Sequence, residues 1–248
     1  MSIHRALPLP EELVWFDLET TANGGPSKSS PEAHWRVNNV LMCGWKKTGS
    51  PIFIDSHLAG LIVNLSSMIN GGTTPTLVAH NAKFDIKYLM RDYPDFPWDK
   101  VRVWDTMTHH YKATGHVEKY ISMEDLAEQS GLCMNKTMDL GALLDQGIKM
   151  ENIDKDELEE YLRQDVAILE EIYKAQVAVS CDAYNMDYIL PLAEMELNGL
   201  PLDYEALLVK RSEADQQMGQ LWLNMTDYIV LNYEWQDGSP IDKTADFT

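Results

Sequence analysis

Asp17 and Glu19 stand two apart in the segment Phe16-Asp17-Leu18-Glu19-Thr20. On an extended strand both carboxylates project to one face, which makes half of a site for a hard cation. Tyr161 and Asp165 are four apart in Tyr161-Leu162-Arg163-Gln164-Asp165, hence one turn apart on one face of a helix. Asp85 closes a third segment, His80-Asn81-Ala82-Lys83-Phe84-Asp85, at a helix start where the dipole favours a carboxylate. Each segment alone has a bland use as strand exit, helix cap or solvated face. Gathered together, four carboxylates would repel one another and resist simultaneous ionisation. Their combined use is to hold divalent cations around a phosphate.

The surrounding pattern shows what must position them. Glu12–Glu19 reads as a buried strand, followed by a Gly/Ser/Pro-rich loop over Thr21–Glu32, expected to be mobile. Val40–Lys47 and Ile52–Asp55 form a hairpin around Lys47–Ser50. Apolar residues from Leu58 to Ile69 recur at helical spacing. Strands at Thr76–His80 and Val101–Trp104 then bracket a short helix at Asp85–Arg91. Helices follow at Thr106–Thr114, Met123–Ser130, Met138–Gln146 and Asp154–Val179, and further ones at Tyr184–Asn198 and Tyr204–Asn232. Asp105 reads as the cap of the helix that begins at Thr106, not as a metal ligand. Strands first and helices after predict an α/β domain over 1–182 with a helical extension over 183–248.

Composition bounds the partners. The 248 residues lack an apolar run of membrane-spanning length and an N-terminal apolar leader, so no membrane partner and a cytoplasmic setting are expected. Cys43, Cys133 and Cys181 are scattered and read as reduced thiols. A net charge of −19 opposes tight duplex binding, whose footprint is basic. Lys83, Lys87, Arg91, Lys100, Arg102, Lys112 and Lys119 crowd one segment and predict a local cationic surface for weak, salt-sensitive binding of a short strand.

These motifs together resemble the DEDD superfamily of 3′–5′ exonucleases. Asp17 and Glu19 match its first motif, Asp85 its second and Asp165 its third; Glu160 and Tyr161 place the third in the tyrosine branch. Val103–Met107 and Leu190–Asp203 are similar to segments of the proofreading domain of family A, polymerase I-like, DNA polymerases. The resemblance implies a ribonuclease H-like exonuclease fold, a mixed central sheet flanked by helices, with Tyr204–Asn232 similar to the start of a polymerase thumb. It implies two divalent ions, Mg²⁺ or Mn²⁺. Asp17, Glu19 and Asp165 would hold one, and Asp17 and Asp85 would serve the second. Thr20, His80, Asn81 and Phe84 match positions near the terminal nucleotide. Phe84 packing in the core and Asn81 capping a turn are the competing readings.

The expected activity is metal-dependent hydrolysis of single-stranded or frayed DNA 3′ ends, releasing nucleoside 5′-monophosphates. Tyr161 would orient the attacking water, because a phenol with a pKa near 10 is a poor base at neutral pH. Ribonuclease D-like trimming of RNA is one alternative; a non-catalytic docking module of a split replicative polymerase is another. The expected setting is a bacterial or phage-infected cell, with a separate DNA polymerase subunit as a candidate partner.

Overall fold

The computed structural model describes residues 4–5, 7–27, 29–118, 120–132, 138–179, 183–184, 186–236 and 239–242. Side chains are described from 7 to 229 within those ranges, apart from 183 and 184. Cys133, Cys181 and Lys119 lie outside the described residues. The chain forms two compact units, Met1–Asn198 and Gly199–Thr248. The first therefore extends beyond the expected boundary at 182/183.

In chain order the first unit runs β1 (His4–Arg5), β2 (Leu13–Thr20), β3 (Val40–Lys47), β4 (Phe53–Asp55), α1 (Ala59–Asn70), β5 (Thr76–Ala79) and α2 (Lys83–Asp92). It continues with β6 (Arg102–Asp105), α3 (Thr106–Ala113), α4 (Met123–Gln129), α5 (Leu140–Asp145), α6 (Lys155–Val179), β7 (Ala183–Tyr184) and α7 (Ile189–Asn198). The second unit holds α8 (Tyr204–Asn232) and the hairpin of β8 (Tyr233–Gln236) and β9 (Ser239–Asp242). Among the described residues no helix is long and apolar enough to cross a membrane.

The central sheet has the order β4-β3-β2-β5-β6. β3 is antiparallel to β2 and β4, whereas β5 and β6 run parallel to β2 and to each other. This is the mixed, helix-flanked sheet expected, ribonuclease H-like in strand order. β2 is central and its side chains alternate between two apolar layers. Val14, Phe16 and Leu18 pack with Leu61 and Leu65 of α1 and with Ile86 and Leu89 of α2. Leu13 and Trp15 pack on the other face with Val166, Leu169 and Ile172 of α6. A period of two thus sends Asp17 and Glu19 toward the face that α6 covers.

Three expectations change. The helix expected from Tyr184 begins at Ile189. Pro191 then falls in the first turn, where its missing N–H costs no hydrogen bond; a start at Tyr184 would have put it in the interior. Described residues of the loop after β2 are tied down by hydrogen bonds, a pattern that the composition does not announce. Asn38 Nδ2 donates to the carbonyls of Ser30 and Glu32 at 2.7 and 3.0 Å. From α2, Tyr88 donates to Pro31 O at 2.6 Å, Arg91 donates to Asn38 O at 2.9 Å, and Lys87 pairs with Glu32.

Nor do the lysines and arginines of 83–112 make a cationic surface. Lys87 is buried between Glu32 and Glu196, Lys83 pairs with Glu196, and Arg91 with Asp92. Arg102 lies near Glu12, and Lys112 sits over the Tyr188 ring. Lys83, Lys87 and Arg91 join α2 to α7 and to the loop, for burial of an unpaired ammonium would be costly, whereas Lys100 stays exposed.

Candidate active site

Asp17 and Glu19 stand near the C-terminal end of β2, on the face covered by α6. The opposing strand supplies the opening for that helix. Gly44 of β3 is the register partner of Asp17. A Cβ at Gly44 would lie 2.7 Å from Leu162 Cγ and 3.0 Å from Val166 Cγ2. Absence of a side chain there lets α6 approach the sheet. Leu158, Leu162, Val166 and Leu169 hold α6 down, and Tyr161 and Asp165 lie on the same buried stripe.

The result is a carboxylate cluster. Ligand oxygens of Asp17, Glu19 and Asp165 all lie within 4.8 Å of one another. Asp17 is half-buried, whereas Glu19 and Asp165 are 6% and 3% exposed. Asp85, 2% exposed, approaches from the first turn of α2. Burial, then the Asp17 carboxylate and more weakly that of Glu19, hold the Asp85 carboxyl well above the usual range. The same negative field reaches Cys43 on β3, whose thiol is pushed up by burial, Asp55, Asp85 and Asp17. Hard oxygen donors at this spacing, largely out of water and destabilising each other's charge, fit a divalent cation.

The other expected residues separate into two sets. Thr20 and Phe84 line a cavity of about 500 Å³ together with Glu19. Thr20 shares a hydrogen bond with Tyr88, and Phe84 meets the Tyr88 ring edge-on at 5.6 Å. Phe84 is thus partly packed and partly presented to the cavity.

His80 is committed elsewhere. Its Nδ1 is 2.9 Å from Thr106 Oγ1 and its Nε2 is 2.9 Å from Ile121 O. With both ring nitrogens engaged, the imidazole ties the end of β5 to α3 and to the segment before α4. Burial lowers its pKa. Asn81 is exposed and sits at φ 57°, a left-handed turn position that Asn tolerates. Its N–H donates to Asp105 Oδ1 at 3.0 Å. Asp105 also accepts from Met107 N and Thr108 N, which makes it the expected cap of α3.

Two features of the site escape the motif analysis. A glycine inside an apolar strand is a signal for close backbone approach, and Gly44 carries that signal. The second is the far wall of the cavity, Leu144 to Glu151, which includes Lys149. Nothing in its composition marks it, since it reaches the site only through the fold.

The sequence profile of a family described as 3′–5′ exonuclease matches residues 40–176. The match spans over half of the chain and includes Asp85, Tyr161 and Asp165; Asp17 and Glu19 precede it and join through β2 pairing with β3. Ten chains of known structure match. Among them is Brucella melitensis NrnC bound to pGG, at 17% identity and a TM-score of 0.45, with 83% of this chain and 85% of that one covered. No curated protein matches. On the profile match over 40–176, the chain belongs to the 3′–5′ exonuclease family.

Proposed function

We propose that the chain is a divalent-metal-dependent exonuclease of the proofreading type. It hydrolyses the terminal phosphodiester of single-stranded or frayed DNA 3′ ends and releases nucleoside 5′-monophosphates. The observation that carries this reading is the cluster of Asp17, Glu19 and Asp165 within 4.8 Å, with Tyr161 one helical turn from Asp165.

Asp17, Glu19 and Asp165 would hold one cation, and Asp17 with Asp85 a second. Mg²⁺ or Mn²⁺ held there would supply positive charge to the displacement at phosphorus. The chain's own residues do the rest. Tyr161, buried and carried by α6, orients the attacking water by a hydrogen bond from its phenol. Glu19 lines the cavity together with Thr20 and Phe84, so a terminal nucleoside seated there would bring its phosphate to the carboxylate cluster. Phe84 offers a ring for the base, an interaction indifferent to base identity. A docking module without catalysis would have no use for the acid cluster.

The test is degradation of labelled DNA and RNA oligonucleotides from their 3′ ends, with Mg²⁺ or Mn²⁺ and with EDTA. The expected outcome is stepwise release of 5′-mononucleotides from DNA, abolished by EDTA. Turnover that persists in excess EDTA would refute the metal mechanism. Faster cleavage of RNA would move the substrate class to RNA while keeping the chemistry.

A further inference from the structure

Lys149 is the sole cation among the described residues that line the cavity holding Glu19. It belongs to the segment between α5 and α6, on the wall facing the loop that follows β2. Its side chain is 57% exposed, and its ammonium donates to Asn23 Oδ1 at 2.9 Å and stands 3.9 Å from Glu151 Oε1. Asn23 Nδ2 in turn donates to Glu151 Oε1 at 3.2 Å. Exposed contacts of this kind contribute little to stability, so the ammonium can exchange them at small cost.

A strand end entering this site meets a problem of charge. The chain carries a net −19, and the cations nearest in sequence to Asp85 are taken: Lys83 and Lys87 by Glu196, Arg91 by Asp92. The carboxylates with their ions can serve the scissile phosphate. The next phosphate along the strand needs a countercharge of its own, and a flexible ammonium with three donors suits a phosphate oxygen.

Resting on the exonuclease reading above, we propose that Lys149 is a substrate-positioning residue. Its ammonium leaves Asn23 and takes a backbone phosphate of the strand whose terminal nucleotide occupies the cavity.

The experiment is steady-state hydrolysis of a 3′-labelled single-stranded oligonucleotide across a series of KCl concentrations. It uses wild type, Lys149→Met, Lys149→Arg and Asn23→Ala. Lys149→Met is expected to raise KM about tenfold, the scale of one charge-assisted hydrogen bond. The slope of log KM against log salt should flatten by about 0.7, one phosphate contact to a single strand. kcat should stay within about twofold, since the contact serves ground and transition state alike. The rise in Tm on adding Mn²⁺ should match wild type, and Lys149→Arg should recover most of the KM.

Asn23→Ala separates charge from clasp, because it removes the partner of Lys149 and keeps the ammonium; its KM should equal or fall below that of wild type. A Lys149→Met enzyme with wild-type KM and salt slope overturns the proposal. So does an Asn23→Ala enzyme that reproduces the Lys149→Met defect, for the role would then be to brace the cavity wall. Wild type inert toward DNA and RNA alike overturns the exonuclease reading itself. Wild-type activity with an indifferent Lys149 overturns this inference alone.

Discussion

Two long helices of this chain, α6 and α8, differ in what their apolar residues achieve. α6 has 25 residues and buries Leu158, Leu162, Val166, Leu169, Ile172 and Tyr173, spaced by three and four along one stripe. α8 has 29 residues, and none of its described side chains is buried. Its apolar residues come in consecutive runs, Leu207-Leu208-Val209 and Leu221-Trp222-Leu223, that spread around the helix instead of lining one face. Apolar content alone therefore does not determine burial. Periodicity does, and in α6 the same period that packs the helix on the sheet also delivers Asp165 to the carboxylates of β2, with Tyr161 one turn away on the same buried stripe.

The strongest test of that contrast removes the chemistry from α6 and leaves its packing. Asp165→Ala is expected to lower hydrolysis by about three orders of magnitude, the scale of several kcal/mol of charge stabilisation. It should also abolish the Mn²⁺-induced rise in Tm while the far-ultraviolet circular dichroism stays that of wild type. Tyr161→Phe is expected to lower kcat by about 100-fold, within the range for a positioned proton-bearing group. Here the Mn²⁺ effect on Tm should persist, because the phenol is no part of the cation site; a fully active variant would remove Tyr161 from the mechanism.

The seat of α6 comes next in size. Gly44→Ala puts a methyl group against Leu162 and Val166 and should cost about 1–3 kcal/mol as overpacking. It should also weaken Mn²⁺ binding measured by titration, because α6 carries Asp165. Adding Leu162→Ala makes room for the methyl group, and Mn²⁺ affinity should then recover even though total stability does not. Equal Mn²⁺ affinity in Gly44→Ala and wild type would show that α6 holds its ligand independently of that contact.

Acid probes the C-terminal half of the same helix. Trp104 stacks on His109 at 4.9 Å, meets Tyr173 of α6 edge-on, and donates from Nε1 to Gln176 at 2.9 Å. Burial, then the charges of His110 and Lys112, lower the His109 pKa from 6.5 to about 4. A depressed histidine means that the folded state binds fewer protons than the unfolded chain between those two values. The contribution of His109 to stability is full above pH 6.5 and is lost as pH falls toward 4, by an amount on the order of 3 kcal/mol. His109→Phe keeps a ring on Trp104 and should flatten the Tm profile between pH 6.5 and 4.

The smallest effect is expected on α8. Leu221→Ala should change stability by less than about 0.5 kcal/mol, as for an exposed position, and leave hydrolysis unaltered. Leu169→Ala on α6, with the same change of side chain in a packed layer, should cost about 2–5 kcal/mol. Similar losses from the two variants would mean that α8 is covered in solution.

Sequence by itself placed a strand at Glu12–Glu19, observed as Leu13–Thr20, the hairpin after it and α6, and it singled out the acids that the fold then gathers. These follow from local periods of two and of 3.6, which one stretch of chain displays without help from another. The cap made by Asp105 was legible for the same reason, since a cap acts within one turn. The fold alone decided what lies across from what. Gly44 opposite Asp17, Lys87 buried between Glu32 and Glu196, His80 bound to Thr106 and Ile121, and Lys149 at the cavity wall all join residues far apart along the chain. Such contacts depend on strand register and helix seating, which no local pattern encodes. The carboxylates could be named from their motifs; the 4.8 Å that gathers three of them is a property of β2, β3 and α6 packed together.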